Sequence, residues 1–360
     1  MNHREPRTEN RELRIAIVGP VYPYRAGIAY CTTRLAQELG ADVISFKRQY
    51  PKRFYPGGDD IDPTLPHAKA DFILDILDPL TWLRARRKLR QYDAVIFVWW
   101  IWVWAIPYRL MMSRRAILQC HNIGEKEPAA WKRFLANLVF RRADVLVVHA
   151  KTEAEEAKRR TRAEVVEAFL PVHELGRDIP SREEARRRLG LTGNVALFFG
   201  HIRPFKGLDI ALEAWRKLKS NATLLVAGEP WWNATYEKQP NVRFDLRFIP
   251  DSEISNYFAA ADVVLAPYRS EAQSGVALTA FHFARPVIAT AVGGLPEIID
   301  GRNGMLVPPE DPEALAGAVD EFFTARDRGS MERAAAESAR RYSWQEYGRI
   351  FERLLVSSRA

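Results

Sequence analysis

FFGHIRPFKGLDIAL, Phe198 to Leu212, decides the fold. An apolar strand, NVALFFG, ends at Gly200, and a short loop carries Arg203 and Lys206. Gly207 then releases the chain into an amphipathic helix, GLDIALEAWRKL. A continuous apolar strand that passes through a tight loop into a helix is the repeating unit of a parallel sheet covered on both faces. The same logic runs downstream. ATLLVAG and VRFDLRFI read as strands, ISNYFAAA as a helix, DVVLAPY as a strand, GVALTAFHFA as a helix, PVIAT and GMLVPP as strands, and PEALAGAVDEFF as a helix with Pro312 near its first position. A last helix is expected from about Trp344 to Val356.

Upstream, RIAIVGP, DVISF, DAVIFVW, AILQC and DVLVVHA read as strands of a second such sheet. IAYCTTRLAQELG is its first helix, with Gly40 placed for a C-cap. Residues 47–70, rich in Pro, Gly and Asp, look like a surface excursion. A helix follows from Lys151 to about Arg162, and FLPVHELGRDIP is polar and proline-containing enough to be an exposed linker. The 360 residues therefore divide into an α/β domain over 1–172, another over 173–340, and a C-terminal helix over 341–360 that packs back towards the first. Doubly wound sheets take ligands outside the carboxyl ends of their strands, so two of them face each other across one deep cleft.

Composition narrows the function classes. Two cysteines, Cys31 and Cys120, stand far apart without metal-ligand spacing, which argues against a zinc site or a disulfide framework. The polar start, MNHREPRTENREL, lacks a signal-peptide core, and a reducing, cytoplasmic setting is expected. AVIFVWWIWVWAIP, Ala94 to Pro107, is too short to span a bilayer. Residues 1–170 carry 29 Lys and Arg against 20 Asp and Glu, leaving 24 against 25 for the remainder of the 53 and 45. The basic excess lies wholly in the first half. It is either a solvated surface or a face for something anionic, such as a membrane or a phosphorylated acceptor. With no nucleic-acid motif in the chain, nucleic acid is not expected as a partner. Arg84, Arg86, Arg87, Lys88 and Arg90, with Trp99, Trp100, Trp102 and Trp104, allow a peripheral contact with an anionic membrane. The competing reading packs those tryptophans in the core or along an acceptor site.

The chemistry-bearing residues sit at strand ends. Arg203 and Lys206 beside a helix N-terminus make a diphosphate site: the dipole adds about 0.3–1 kcal/mol and each charge-assisted hydrogen bond roughly 1.5–3 kcal/mol. Ser274 and Gly275 open a second anion-ready helix. Glu271 just before it is either an acceptor for sugar hydroxyls or a carboxylate favoured by the dipole alone. His121, after AILQC, is a donor to sugar or phosphate or a structural hydrogen-bonder. Gly27 and Gly200 permit close backbone approach. Gly293 and Gly294 form a tight turn, with Glu297 capping the helix EIID.

In this order, IRPFKGL, AAADVVLAPY, a Glu-containing loop and helix, and RPVIATAVGGLPEIIDGRNGMLVPPEDPEALA resemble the retaining glycosyltransferases of family 4, as do RIAIVGPVYPYRAGIAY and the CHN segment. The resemblance covers nearly the whole chain and is weakest over residues 45–95. It implies a GT-B fold and transfer of a hexosyl group from a nucleoside diphosphate sugar to a carbohydrate or lipid-linked acceptor hydroxyl. The setting implied is cell-surface polysaccharide or glycolipid synthesis. It places Arg203 and Lys206 on the donor diphosphate and Glu271 at the first glutamate of a Glu-x7-Glu motif on the donor sugar. Gln273, Ser274, Gly275 and Val276 then form a loop whose amides reach sugar and phosphate. His121 stands near the transferred sugar, and Gly27 lies below the diphosphate. Two departures stand out: Thr279 replaces the second glutamate, which holds ribose hydroxyls in the family, and Ala26-Gly27 replaces two glycines. No cofactor or metal is expected; Asp59-Asp60-Ile61-Asp62 approaches an Asp-x-Asp motif but lies in the irregular excursion. The rival readings are a nucleotide-sugar epimerase of the same fold and a sugar-nucleotide-binding pseudoenzyme, the latter motivated by Thr279.

Overall fold

The computed structural model describes residues 13–25, 27–50, 60–113, 115–124, 129–174, 178–231, 236–324 and 327–356. Seven parallel strands form the first sheet: β1 (Ile15–Val18), β2 (Asp42–Arg48), β3 (Asp71–Asp75), β4 (Ala94–Trp99), β5 (Ala116–Cys120), β6 (Val145–Val148) and β7 (Glu164–Glu167), in the order β3-β2-β1-β4-β5-β6-β7. Its central strands are apolar on both faces, and every residue of β4, β5 and β6 is buried. Helices α1 (Gly27–Leu39), α2 (Pro79–Leu89), α3 (Ala105–Met111), α4 (Ala130–Phe140) and α5 (Lys151–Arg160) cover it. α2, α3 and α4 pack side by side in a layer of their own.

The second sheet has six parallel strands, β8 (Asn194–Phe199), β9 (Ala222–Ala227), β10 (Val242–Asp245), β11 (Val263–Ala266), β12 (Val287–Thr290) and β13 (Gly304–Val307), ordered β10-β9-β8-β11-β12-β13. Around it lie α6 (Arg182–Leu189), α7 (Leu208–Lys217), α8 (Asp251–Ala260), α9 (Gly275–His282), the single turn α10 (Leu295–Ile298), α11 (Pro312–Thr324) and α12 (Arg328–Arg341). Both sheets reverse strand order once, beside β1 and β8, and such reversals open the crevices in which doubly wound folds hold ligands.

Two segments pass between the halves and bind each other. Val172 N donates to Tyr342 O (2.9 Å), and Trp344 Nε1 donates to Val172 O (3.0 Å). After that crossing α13 (Trp344–Val356) lies on α1 of the first half, with Trp344, Tyr347 and Phe351 fully buried. Among the described residues no helix is long and apolar enough to cross a membrane.

Several sequence expectations need correction. Residues 47–70 are not wholly an excursion: in their described part, Ile61 bridges to Tyr24, and Asp62 is buried, accepting from Thr64 N and Oγ1. VRFDLRFI is a strand only to Asp245, and the helix from Lys151 stops at Arg160. The tryptophan run follows the packing reading: Trp99 and Trp104 are buried in the core, Trp100 is buried at a cavity wall, and Trp102 meets Trp131 edge-on. Glu297 does not cap its own helix; it accepts from Lys151 N (2.9 Å), capping α5 of the other half. Ala26 and Asp59 lie outside the described residues.

Candidate active site

Two cavities lie between the halves, about 780 Å³ and about 250 Å³. Nearly every segment lining the larger one follows a strand's carboxyl end: Arg25 after β1, Trp100 after β4, His121 after β5, His149 after β6, Arg203 after β8, Trp231 after β9 and Glu271 after β11. The smaller is lined by Gly200, Lys206, Val276 and Thr279, with Phe248, Ile249 and Asp251. Arg25, Gly27, His173, His201 and Gly275 border both, so the cavities are continuous along one shared strip.

That strip is where two helix N-termini meet. Gly27 begins α1 in the first half and Gly275 begins α9 in the second, and the His173 imidazole lies between them. A Cβ on Gly27 would stand 2.9 Å from His173 Cε1, and one on Gly275 would stand 3.1 Å away. These glycines are therefore required by a side chain of the interdomain segment as well as by any ligand. Helix N-termini carry partial positive charge and unpaired amides, and two of them facing one strip favour an anion there. Arg203 and Lys206 flank it. The Arg203 guanidinium lies over the Trp231 indole, 3.6 Å from its centre, while Lys206 Nζ approaches the face of Tyr268. Burial holds the Lys206 ammonium below its ordinary pKa; Glu271 opposes that shift and Arg203 adds to it.

Four histidines surround the strip, and burial keeps all of them neutral. His149, His173 and His201 are lowered to about 4, and His121 lies well below the ordinary value, with His149 and His173 contributing. Trp231 Nε1 donates to His201 Nδ1 (2.7 Å). An indole N–H can only donate, so Nδ1 of the neutral ring accepts and Nε2 carries the proton. Behind His121 runs a fixed chain: Gln119 Nε2 donates to the Tyr347 hydroxyl (2.8 Å), which in turn meets His149 Nε2 (2.8 Å). The His149 ring then packs against His121, tilted, with centroids 5.4 Å apart. His121 Nε2 is buried and has no hydrogen-bond partner among the described residues. The halves also touch at the wall of the smaller cavity, where the Tyr22 hydroxyl donates to Asp251 Oδ2 (2.8 Å) and Arg25 stacks on Phe248 at 4.4 Å.

The structure thus brings His121, Arg203, Lys206, Glu271, Gly27, Gly200, Gln273, Gly275, Val276 and Thr279 to the two cavities. Ser274 is the exception. Its hydroxyl caps α9 by accepting from Ala277 N (3.2 Å), and it lines neither cavity. Gln273 is partly committed elsewhere, since its Oε1 accepts from Leu170 N (2.8 Å) and ties the loop to the interdomain segment. The Thr279 hydroxyl donates back to Gly275 O (2.7 Å). Gly294 N donates to Ala272 O (2.8 Å), so the double-glycine turn braces the Glu271 loop. Arg25, His173, His201 and Trp231 were not singled out from sequence. His201 and Trp231 follow strand ends and could have been found on that ground; His173 carries no local signal.

The histidines give a stability test. Between pH 6.5 and about 4 the folded state binds fewer protons at these rings than the unfolded chain does. Stability is then fully present above 6.5 and falls as pH drops through that window, by up to about 1.4 kcal/mol per pH unit for each histidine. Thermal midpoints measured across the window should slope upward with pH, and His149→Gln should flatten the slope. An unchanged slope in that variant contradicts the buried neutral ring.

This arrangement defines a class: a two-domain GT-B protein in whose cleft two helix N-termini face one shared strip. Residues 193–325 match the family model described as Glycosyl transferases group 1, which places this part of the second half in that family. It is 34% identical over 230 residues to a D-inositol 3-phosphate glycosyltransferase of Saccharomonospora viridis, covering 56% of this chain and 53% of that protein. To the corresponding protein of Streptomyces avermitilis it is 31% identical over 296 residues, covering 70% and 62%. The chain thus spans between about half and two thirds of the length of these curated relatives. Among solved structures it is similar to Anabaena HepE in complex with UDP and glucose (TM-score 0.75, 18% identity, 96% of this chain and 100% of that one). It is also similar to a sucrose-phosphate synthase from Thermosynechococcus elongatus (TM-score 0.74, 18% identity, 96% and 100%).

Proposed function

We propose that this chain transfers a hexosyl group from a nucleoside diphosphate sugar to an acceptor hydroxyl with retention of configuration, in the synthesis of a cell-surface polysaccharide or glycolipid. One observation carries the reading: Arg203, Lys206 and the N-termini of α1 and α9 converge where the two cavities join. The diphosphate occupies that junction, the nucleoside the smaller cavity, and the sugar and acceptor the larger. The ligands of HepE and the activity in the relatives' names support it. Among the described residues lining the larger cavity the cations are Arg25 and Arg203, both near the junction, whereas four carboxylates, Asp60, Glu153, Glu156 and Glu271, line it. This favours a neutral carbohydrate acceptor over the phosphorylated one in the relatives' names.

In the transfer, the bond between the anomeric carbon and the diphosphate oxygen breaks as the acceptor oxygen bonds to the same face of that carbon. The leaving phosphate oxygen takes the acceptor proton. Arg203, Lys206 and the helix amides stabilise the charge developing on the diphosphate, and this preorganised field is the main catalytic contribution. No metal or cofactor is assigned a part. Neutral His121 and the Nε2–H of His201 offer hydrogen bonds without adding a charge that would compete with the cations.

The test is thermal stabilisation against UDP-, GDP- and ADP-linked sugars, followed by turnover. A donor at about 100 times its dissociation constant adds roughly 2.7 kcal/mol. One donor should raise the midpoint and be consumed, with the anomeric configuration of the product kept. Stabilisation without turnover, with every acceptor class tried, supports the pseudoenzyme reading motivated by Thr279; no response to any donor removes the nucleotide-sugar reading.

A further inference from the structure

The described surface exposes twelve large apolar side chains, and six of them lie on three adjacent helices of the first half. These are Leu80 and Leu83 on α2, Ile106 and Leu110 on α3, and Trp131 and Phe134 on α4, each between 41% and 64% exposed. The spacing is helical, with partners at i+3 or i+4, so each helix turns one apolar edge to solvent. An apolar cluster of this kind on a monomer marks an interaction site rather than scattered surface.

The charge carried by its three helices is one-signed. PLTWLRARRKL, AIPYRLM and AWKRFLANLVF together hold seven Arg and Lys and no Asp or Glu. Lys88 pairs with Asp71 and Arg133 with Glu156, and Asp78 caps α2 at the cluster's edge. Arg84 and Arg87 are exposed on the same side of α2 as Leu80 and Leu83. The cluster also has a position. α3 and α4 follow the carboxyl ends of β4 and β5, where Trp100, Ile101 and Ile123 wall the larger cavity. Ile106 and Trp131 are in the first turns of those helices, at the ends nearer in sequence to the cavity wall.

We propose that the α2–α3–α4 layer is a docking surface for an anionic lipid bilayer, with the apolar side chains entering the headgroup boundary and the arginines meeting lipid phosphates. Cations beside the surface and an aromatic residue at the boundary are the features such docking uses. A second copy of the chain is disfavoured, because a two-fold contact through this face would bring together two faces that each expose Arg84, Arg87 and Arg109 on helices without a carboxylate. Docking holds the larger cavity beside the headgroups, where the hydroxyl of a lipid-linked acceptor would be within reach. The surface stands apart from the transfer reading and is tested without it.

The experiment is flotation of the full chain with vesicles of phosphatidylcholine alone, or with about one third phosphatidylglycerol, at about 50 mM and about 500 mM salt. The protein should float with the anionic vesicles at low salt, and stay down with the neutral ones. Arg84→Glu with Arg87→Glu should weaken binding roughly ten-fold or more. Trp131→Ser with Phe134→Ser should weaken it too and abolish any blue shift of tryptophan emission. Both variants should keep the wild-type thermal midpoint. A wild type that stays down with anionic vesicles at low salt overturns the proposal, as does undiminished flotation of both variants. So does a concentration-dependent dimer that the Trp131/Phe134 variant dissolves, which would assign the face to self-association.

Discussion

Replacing Arg203 and Lys206 together with alanine should lower kcat/KM for the nucleotide-sugar donor by between about a hundred-fold and ten-thousand-fold. In the proposed transfer two charge-assisted hydrogen bonds to the diphosphate contribute roughly 3–6 kcal/mol together, and each 1.4 kcal/mol is a factor of ten in rate. The loss should fall mainly on kcat, because negative charge on the leaving diphosphate grows towards the transition state and the cations act most strongly there. Steady-state kinetics on the double variant, with Arg203→Lys alongside, separates charge from geometry. Lysine keeps the charge but cannot lie flat on Trp231 as the guanidinium does at 3.6 Å. A double variant within a few-fold of wild type would mean that the diphosphate lies elsewhere.

The same residues predict a stability change of opposite sign. Burial lowers the Lys206 pKa, so between its folded value and the ordinary 10.5 the unfolded chain binds more protons than the folded one. The charged lysine therefore costs stability at neutral pH, and stability should rise as pH approaches 10.5. Lys206→Met should then raise the midpoint at neutral pH while lowering turnover. That pattern is the mark of a group held for function against its own solvation.

The legible parts of the sequence were those whose burial is continuous. β4, β5, β6 and β8 bury nearly every residue, and α7 and α13 each turn a clear apolar face inward. The elements that went unread lack that signal. β7, EVVE, is a half-exposed edge strand, and α6 and α12 each bury a single alanine beneath otherwise polar surfaces. α2 and α4 were obscured differently, because their outer faces carry leucine, tryptophan and phenylalanine where an amphipathic pattern expects polar residues. The site divides in the same way. Arg203, Lys206 and Glu271 announce themselves through the strand, loop and helix around them. His173 does not, since its partners, Gly27 and Gly275, stand at the starts of helices in opposite halves and more than a hundred residues away in sequence. The bond from Gln119 to Tyr347 is equally long-range, spanning 228 residues.

That long-range bond sets up the second large effect. A chain ending at Arg341 should lose the cooperative unfolding of its first half. Trp344, Tyr347, Phe351, Leu354 and Leu355 of α13 are at most 7% exposed. Burying five such side chains contributes on the order of 10 kcal/mol, comparable with the whole stability of a domain. The loss would uncover α1, against which Gly348 packs so closely that a Cβ there would meet Glu38 Cγ at 2.6 Å. It would also cut polar ties: Val172 loses both the Tyr342 carbonyl and the Trp344 indole, Gln119 and His149 lose the Tyr347 hydroxyl, and Arg115 loses the Leu354 carbonyl. Calorimetry of the truncated chain should show no transition for the first half, or one far below wild type. Tyr347→Phe isolates the polar part. The ring keeps its packing, but Gln119 and His149 each lose a buried partner, costing about 1–3 kcal/mol. His149 then no longer has its Nε2 held by a hydroxyl, and His121, packed against it, loses its fixed backing. In the proposed transfer His121 stands beside the reacting sugar, so turnover should fall more than donor affinity, because misplacement there is felt chiefly in the transition state. Equal loss of affinity and rate would assign Tyr347 to holding the cleft together rather than to placing His121. A truncated chain with wild-type unfolding would show that α13 only rests on the first half.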